Sequence, residues 1–357
     1  MATHPAATTR RSGYSELTRE IRAAGLLRPR PGSYAVHAAL VFGALAAVVT
    51  AMELWRDSWW LLGLAPAMAV VTTQINFLGH DVCHRQVTPS PGRSRFLGLV
   101  VGNLMGGLSY GWWVRKHNAH HAHPNDLDTD PDVRDGVLVF DATQATGKSG
   151  LGAFTVRHQA WFFFPFLLAE AVNLHVASFK ELAYPPLRNR VAEGVLLSAH
   201  FAAYGALLVT SLTWLQVLCF FAIHKSLQGL YLGCSFAPGH KGMPVLTAAQ
   251  AADPLLRQVL TSRNIRSGRF VDTALGGLNF QIEHHLFPSM ARSNLRRAQP
   301  IVKRFCATHA IPYVECSAWA SYSRALRHLH TVGAGLRGGE SRRVARAERR
   351  ATPKGPA

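Results

Sequence analysis

The chain has 357 residues, 48% hydrophobic and 16% charged, with 38 Lys and Arg against 20 Asp and Glu and a formal charge of +18. Its apolar residues fall in long uninterrupted runs, which excludes a pair of ordinary soluble domains with scattered core positions. The arginines lie in the terminal tails and beside the apolar runs, so the basic balance does not indicate nucleic-acid binding.

Residues 1–32 read as a basic, flexible N-terminal tail carrying Arg10, Arg11, Arg19, Arg22, Arg28 and Arg30. No apolar core with a small-residue cleavage site follows at signal-peptide distance, so the first apolar run is expected to insert directly. That run extends from Tyr34 to Met52 and the second from Trp59 to Leu78, and the tract Val195–Phe236 is long enough for a hairpin of two more. A hydrocarbon layer of about 30 Å needs about 20 apolar residues of helix, so four spans are expected. Two further apolar segments, Phe96–Val114 and Trp161–Phe179, are expected to be re-entrant or interfacial. A crossing by the first would separate histidine clusters that must meet, and the second carries Glu170, Asn173 and His175, which are costly in lipid. The expected architecture is therefore all-α and integral to the membrane; residues 33–330 form the domain and 331–357 a basic, flexible C-terminal tail. Basic residues flank the same ends of the spans, which predicts cytoplasmic connections and termini in a cell membrane. Cys83, Cys219, Cys234, Cys306 and Cys316 are isolated and are expected to be free thiols.

Among 18 histidines the grouped ones carry the chemistry. His80 and His84 follow the second run with four-residue spacing, on one helical face where both rings can reach one ion. His117, His120 and His121 follow the re-entrant segment with i, i+3, i+4 spacing, and Gln281, His284 and His285 repeat that spacing after the fourth run. A single zinc ion needs three or four ligands, so seven clustered imidazoles ask for two ions. Nitrogen ligation with open positions suits iron that activates O2, and the membrane setting makes a lipid chain the expected substrate.

With its HxxxH, HxxHH and QxxHH boxes, the chain resembles the membrane fatty acid desaturases, most of all bacterial acyl-CoA or acyl-lipid desaturases of actinobacterial type. The surroundings of the boxes agree: Gly79 to Arg85, Trp112 to His117, Phe236 to Pro244, and Asn279 to Pro288. The resemblance implies two iron ions, O2 as co-substrate, a fatty acyl substrate and four spans beneath a cytoplasmic cap. It also implies His240 as an eighth histidine ligand, although family members carry Asn where this chain has Gly239. Gln281 and Asp81 are candidates for weak ligation or for orienting a ligand. Gln at the head of the third box is common in relatives that insert a double bond between an existing one and the carboxyl end.

His123 is a candidate neighbour of the second box, whereas His175, His200 and His224 lie in apolar segments and suit helix packing or a cavity. Asp126, Asp128, Asp130 and Asp132 begin like a calcium loop, but Pro131 and Val137 occupy the required Gly and Glu places. These carboxylates are expected in a solvated loop that can hydrogen-bond liganding imidazoles. An intramembrane zinc protease would use only the first box, and a haem or metal carrier would place its ligands within the spans. A lipid hydroxylase, epoxidase or ketolase would use the same irons. The chain has no cysteine set for an iron-sulfur cluster and no dinucleotide fingerprint, so a separate reductase, ferredoxin or b-type cytochrome is the expected electron donor.

Overall fold

The computed structural model describes residues 8–337, apart from 135, 185 and 186. Helix α1 (Thr8–Ala23) precedes α2 (Pro31–Leu54), which opens on a proline whose missing N–H costs nothing in a first turn. A 3-10 turn (Trp59–Gly63) leads into α3 (Leu64–Cys83). Next come α4 (Pro91–Gly98), a π-helical stretch (Leu99–Met105) and α5 (Tyr110–Ala122). The short α6 (Ala142–Ala145) and α7 (Gly150–Arg157) lead to α8 (Gln159–Leu167) and α9 (Glu170–Leu182), which meet at 71°. The hairpin α10 (Arg190–Ser211) and α11 (Trp214–His240) follows.

A C-terminal group of helices, called the cap below, contains α12 (Ala248–Ala252), α13 (Pro254–Leu260), α14 (Arg269–Ala274), α15 (Gln281–Leu286), α16 (Arg292–Thr308) and α17 (Ala318–Val332). Asn264–Ile265 and Glu315–Cys316 pair as a minimal parallel ladder that ties its two halves together.

Four helical stretches are long and apolar enough to cross a membrane: α2, the 3-10 turn with α3, α10 and α11. They match the four expected apolar runs. Val36 and Leu40 of α2 and Val195 and Val209 of α10 are exposed, as apolar side chains of lipid-facing helices are. Helix α3 is the most enclosed of the four and packs mainly on α2 and α11.

Both ambiguous segments are broken, and the first turns back. Ser94 donates to Val82 C=O at one end of the first, and His117 meets His80 at the other, so both ends lie beside the same end of α3. The reversal occurs at Gly106–Gly107, where φ of +68° at Gly107 and a would-be Cβ 2.6 Å from His200 Nε2 leave room only for glycine. The second bends by 71° at the α8–α9 elbow, which rests on α11: a Cβ on Gly229 would lie 2.5 Å from Leu167 C=O.

The N-terminal tail needs correction. Residues 8–23 form a helix that belongs to the cap, because Leu17 and Ile21 share one face and enter a core with Leu255, Val259, Phe287 and Phe305. Tyr14 OH donates to Leu286 C=O (2.7 Å), and Asn294 Nδ2 donates to Leu26 C=O (2.8 Å), fixing both ends of this docked segment. The C-terminal boundary also shifts: Val332 and Leu336 pack with Val139, Ala145 and Val156, so the fold continues beyond residue 330. The expected tail from residue 338 lies outside the described residues. All five cysteines are free thiols.

Candidate metal centre

The histidines arrive from four parts of the chain. His80 sits in the last turn of α3 and His84 is its C-cap; His117, His120 and His121 lie on α5; His240 ends α11; His284 and His285 lie on α15. Helix α5 is anchored at its start by Ser109, whose hydroxyl accepts from Trp112 N–H (3.1 Å) and donates to Glu193 (2.5 Å). A carboxylate beside a helix N-terminus also favours the orientation of the helix dipole.

His80, His84, His117 and His284 bring one ring nitrogen each to within 4.8 Å of one another, and His120, His240 and His285 form a second such group. His121 belongs to neither group and lies against both: its Nε2 is 3.1 Å from His117 Nε2, and its ring stacks on His285 at 4.1 Å. Seven of the eight expected ligands are thus gathered in two sets, with the eighth between them.

Tautomer geometry tests whether these sets suit metal ions. His120 Nδ1 lies 3.0 Å from both Asp130 oxygens, and His240 Nδ1 lies 3.0 Å from Thr261 C=O. Both partners only accept, so both Nδ1 atoms carry the proton and both Nε2 atoms present lone pairs. Those two Nε2 atoms face each other at 3.3 Å, a repulsive contact unless a cation lies between or beside them. In the other set His80 Nδ1 donates to Asp81 (3.0 Å), leaving its Nε2 lone pair 3.1 Å from His117 Nε2. Buried Nε2 atoms of His84, His284 and His285 have no hydrogen-bond partner. Buried imidazoles in these states are metal donors.

Burial, followed by neighbouring imidazoles, depresses the pKa values of His117, His121, His284 and His285 well below the ordinary histidine range. They are neutral, as a nitrogen ligand must be. Burial raises the Asp130 carboxyl, but hydrogen bonds from His120 Nδ1–H and Asp132 N–H outweigh burial and hold it below the usual range. Glu283, between Gln281 and His284, is pushed up to about 7 by burial despite bonds from Asn264 Nδ2 (2.7 Å) and Tyr313 OH (2.8 Å).

The two auxiliary candidates lie at the centre. Asp81 accepts from His80 and pairs with Arg292 (2.7 Å), linking the end of α3 to α16. The Gln281 amide is 2.8 Å from His240 Nε2, on the side where that nitrogen has its lone pair. A Cβ on Gly239 would come within 2.9 Å of Gln281 Cγ, so glycine at 239 makes room for this amide. Asp130 confirms that the acidic loop reaches a histidine, whereas His123 is exposed and outside both groups.

His175 and His200 donate through Nδ1 to Gly107 C=O (2.9 Å) and Leu104 C=O (2.8 Å), and His224 bridges Tyr204 and Thr72 (2.6 and 3.2 Å). These three serve helix packing. Sequence reasoning missed Gln258, whose Oε1 accepts from His285 Nδ1 (3.0 Å), and the Thr261 carbonyl. An isolated amide and a backbone oxygen carry no signal of such roles.

A narrow apolar crevice of about 30 Å³ runs from His80 and Trp113 past Gly79, Tyr110 and Phe236 to Leu108, Leu174 and Leu232. One end is an imidazole, and apolar side chains dominate the rest, with Asn76 and Ser109 also in the lining.

The fold and site define a helical protein with apolar helices suited to a membrane, in which clustered histidines that could bind metal adjoin an apolar crevice. The profile of the family described as Fatty acid desaturase matches residues 57–317. The chain is 30% identical over 316 residues to the Delta(5) fatty acid desaturase fat-4 of Caenorhabditis elegans, covering 84% of this chain and 69% of that protein. It is 29% identical over 338 residues to the Delta(8)-fatty-acid desaturase of Helianthus annuus (89% and 72%). It is 30% identical over 282 residues to the Acyl-lipid (9-3)-desaturase of Physcomitrium patens (76% and 53%), and so spans about half of that relative's length. The chain belongs to the fatty acid desaturase family and is an oxidoreductase.

Proposed function

We propose that this protein is a fatty acyl desaturase that inserts a cis double bond into an acyl chain, carried as acyl-CoA or acyl-lipid, with O2 as co-substrate. His80, His84, His117, His284 and, between the sets, His121 hold one iron, and His120, His240 and His285 hold the second. Iron at this site supplies what no side-chain acid or base can: activation of O2 for removal of hydrogen from an unactivated methylene.

The carrying observation is the pair of facing Nε2 lone pairs of His120 and His240, next to a second imidazole set at the mouth of the crevice. Two sets favour two ions over the single zinc of a protease. The protein's own residues orient and shield. Asp81, Asp130, Thr261 and Gln258 fix the ring tautomers, while Trp113, Phe236 and Leu232 line the path of the chain and exclude water.

Gln281 beside His240 supports insertion on the carboxyl side of an existing double bond, as do relatives whose names place the bond at Delta(5) and Delta(8). The basic connections support a cytoplasmic position for the histidines, where a separate reductase, ferredoxin or b-type cytochrome delivers electrons.

Expression in a host without polyunsaturated lipids, followed by gas chromatography and mass spectrometry of its lipids, tests this reading. A new double bond is expected from the wild type and none from His284→Ala, with the variant still in the membrane and depleted in iron. A hydroxylated product would move the protein to the hydroxylase branch, and full activity in His284→Ala would remove the metal assignment.

A further inference from the structure

Lys225 is buried in α11, a helix long and apolar enough to cross a bilayer. An ionisable side chain at that depth is costly, and such residues mark functional sites. Its ammonium donates to His175 Nε2 (3.1 Å) and Gln228 Oε1 (2.9 Å) and lies 5.1 Å from the centre of the Tyr204 ring. Because His175 Nδ1 donates to Gly107 C=O, its Nε2 must be the acceptor for Lys225. Among the described residues no carboxylate forms an ion pair with this lysine.

This polar layer adjoins the inner end of the crevice. Leu108 follows Gly107, Leu174 precedes His175, and Leu232 is one turn from Gln228; all three leucines line the crevice. Lys225, Gln228, Leu232, Phe236 and His240 recur at three or four residues, so one face of α11 runs from the ammonium through the apolar wall to a metal-centre imidazole. The helix rises about 22 Å between its two polar ends. Asn76, also in the lining, has both amide atoms buried without a partner, so the inner part of the crevice contains polar groups that an alkyl chain cannot satisfy.

We propose that Lys225, held by His175 and Gln228, closes the inner end of the acyl crevice and sets the longest methyl-terminal segment that the enzyme accepts. The inference rests on the desaturase reading above. A methyl end pushed beyond Leu108 and Leu174 must displace the Lys225 amine from its two acceptors and leave buried polar groups unpaired against hydrocarbon. The stop is thus polar as well as steric.

The test uses the full chain in a host without polyunsaturated lipids, fed fatty acids that differ only in the number of carbons beyond the reacting position. Lys225→Ala is expected to raise product from the next longer acid, relative to the acid preferred by the wild type, about tenfold. An unchanged ratio in an active Lys225→Ala protein overturns the inference. If that variant forms no product, alkylation of Cys83, which lines the crevice, is followed by peptide mass spectrometry in membranes carrying Lys225→Met. Longer fatty acids must then protect Cys83 in the variant than in the wild type; equal protection overturns the inference. A wild-type chain that forms no desaturated product removes the functional reading instead.

Discussion

The Asp130 carboxylate, itself completely buried, accepts a hydrogen bond from His120 Nδ1–H and thereby decides which nitrogen of that ring faces His240. Replacing Asp130 by Ala frees the ring to rotate and removes the acceptor. Iron affinity is expected to fall about 10–100-fold, read as metal retained by purified protein across a chelator series; retention equal to the wild type would show that the carboxylate does not orient His120. At this scale the sequence was most informative about first contacts. The histidine boxes stand out because i, i+3, i+4 imidazoles repeat beside apolar runs, and the acidic loop suggested a partner for them. Gln258 and Thr261 were illegible, since one contributes an isolated amide and the other a main-chain carbonyl brought close only by the fold.

The contact between α11 and the α8–α9 elbow is set by two glycines. Cβ atoms on Gly229 and Gly233 would lie 2.5 Å from Leu167 C=O and 2.4 Å from a Leu167 methyl carbon. Gly229→Leu must drive the elbow outward against backbone that cannot yield, and overpacking of this kind costs about 1–3 kcal/mol. The expected result is a lower melting temperature in detergent, with the four apolar helices still inserted; an unchanged melting temperature would contradict the close packing. The apolar runs themselves were readable because lipid imposes length and continuity on a sequence. Helix α1 was not, because its arginines dominate its composition while only Tyr14, Leu17 and Ile21 mark the buried face.

Across the whole molecule, α1 is joined to the cap over most of the chain: Arg304 of α16 pairs with Glu20, and Leu17 is buried with Phe305. Leu17→Ala leaves a cavity in this junction and is expected to destabilise the protein by about 2–5 kcal/mol, measured by thermal unfolding in detergent. A surface-helix value near zero would mean that α1 is dispensable. The same long reach is seen in the metal centre, where Arg292 of α16 holds Asp81, and Asp81 holds His80 at the end of the second apolar stretch.

That bracket orders the protein's biogenesis. The earliest of these histidines, His80, acquires its final support only after residue 292 has left the ribosome, and His284 and His285 complete the two sets at nearly the same point in the chain. Both histidine groups that draw on residue 284 or 285 are therefore complete only once all four apolar helices have been synthesised.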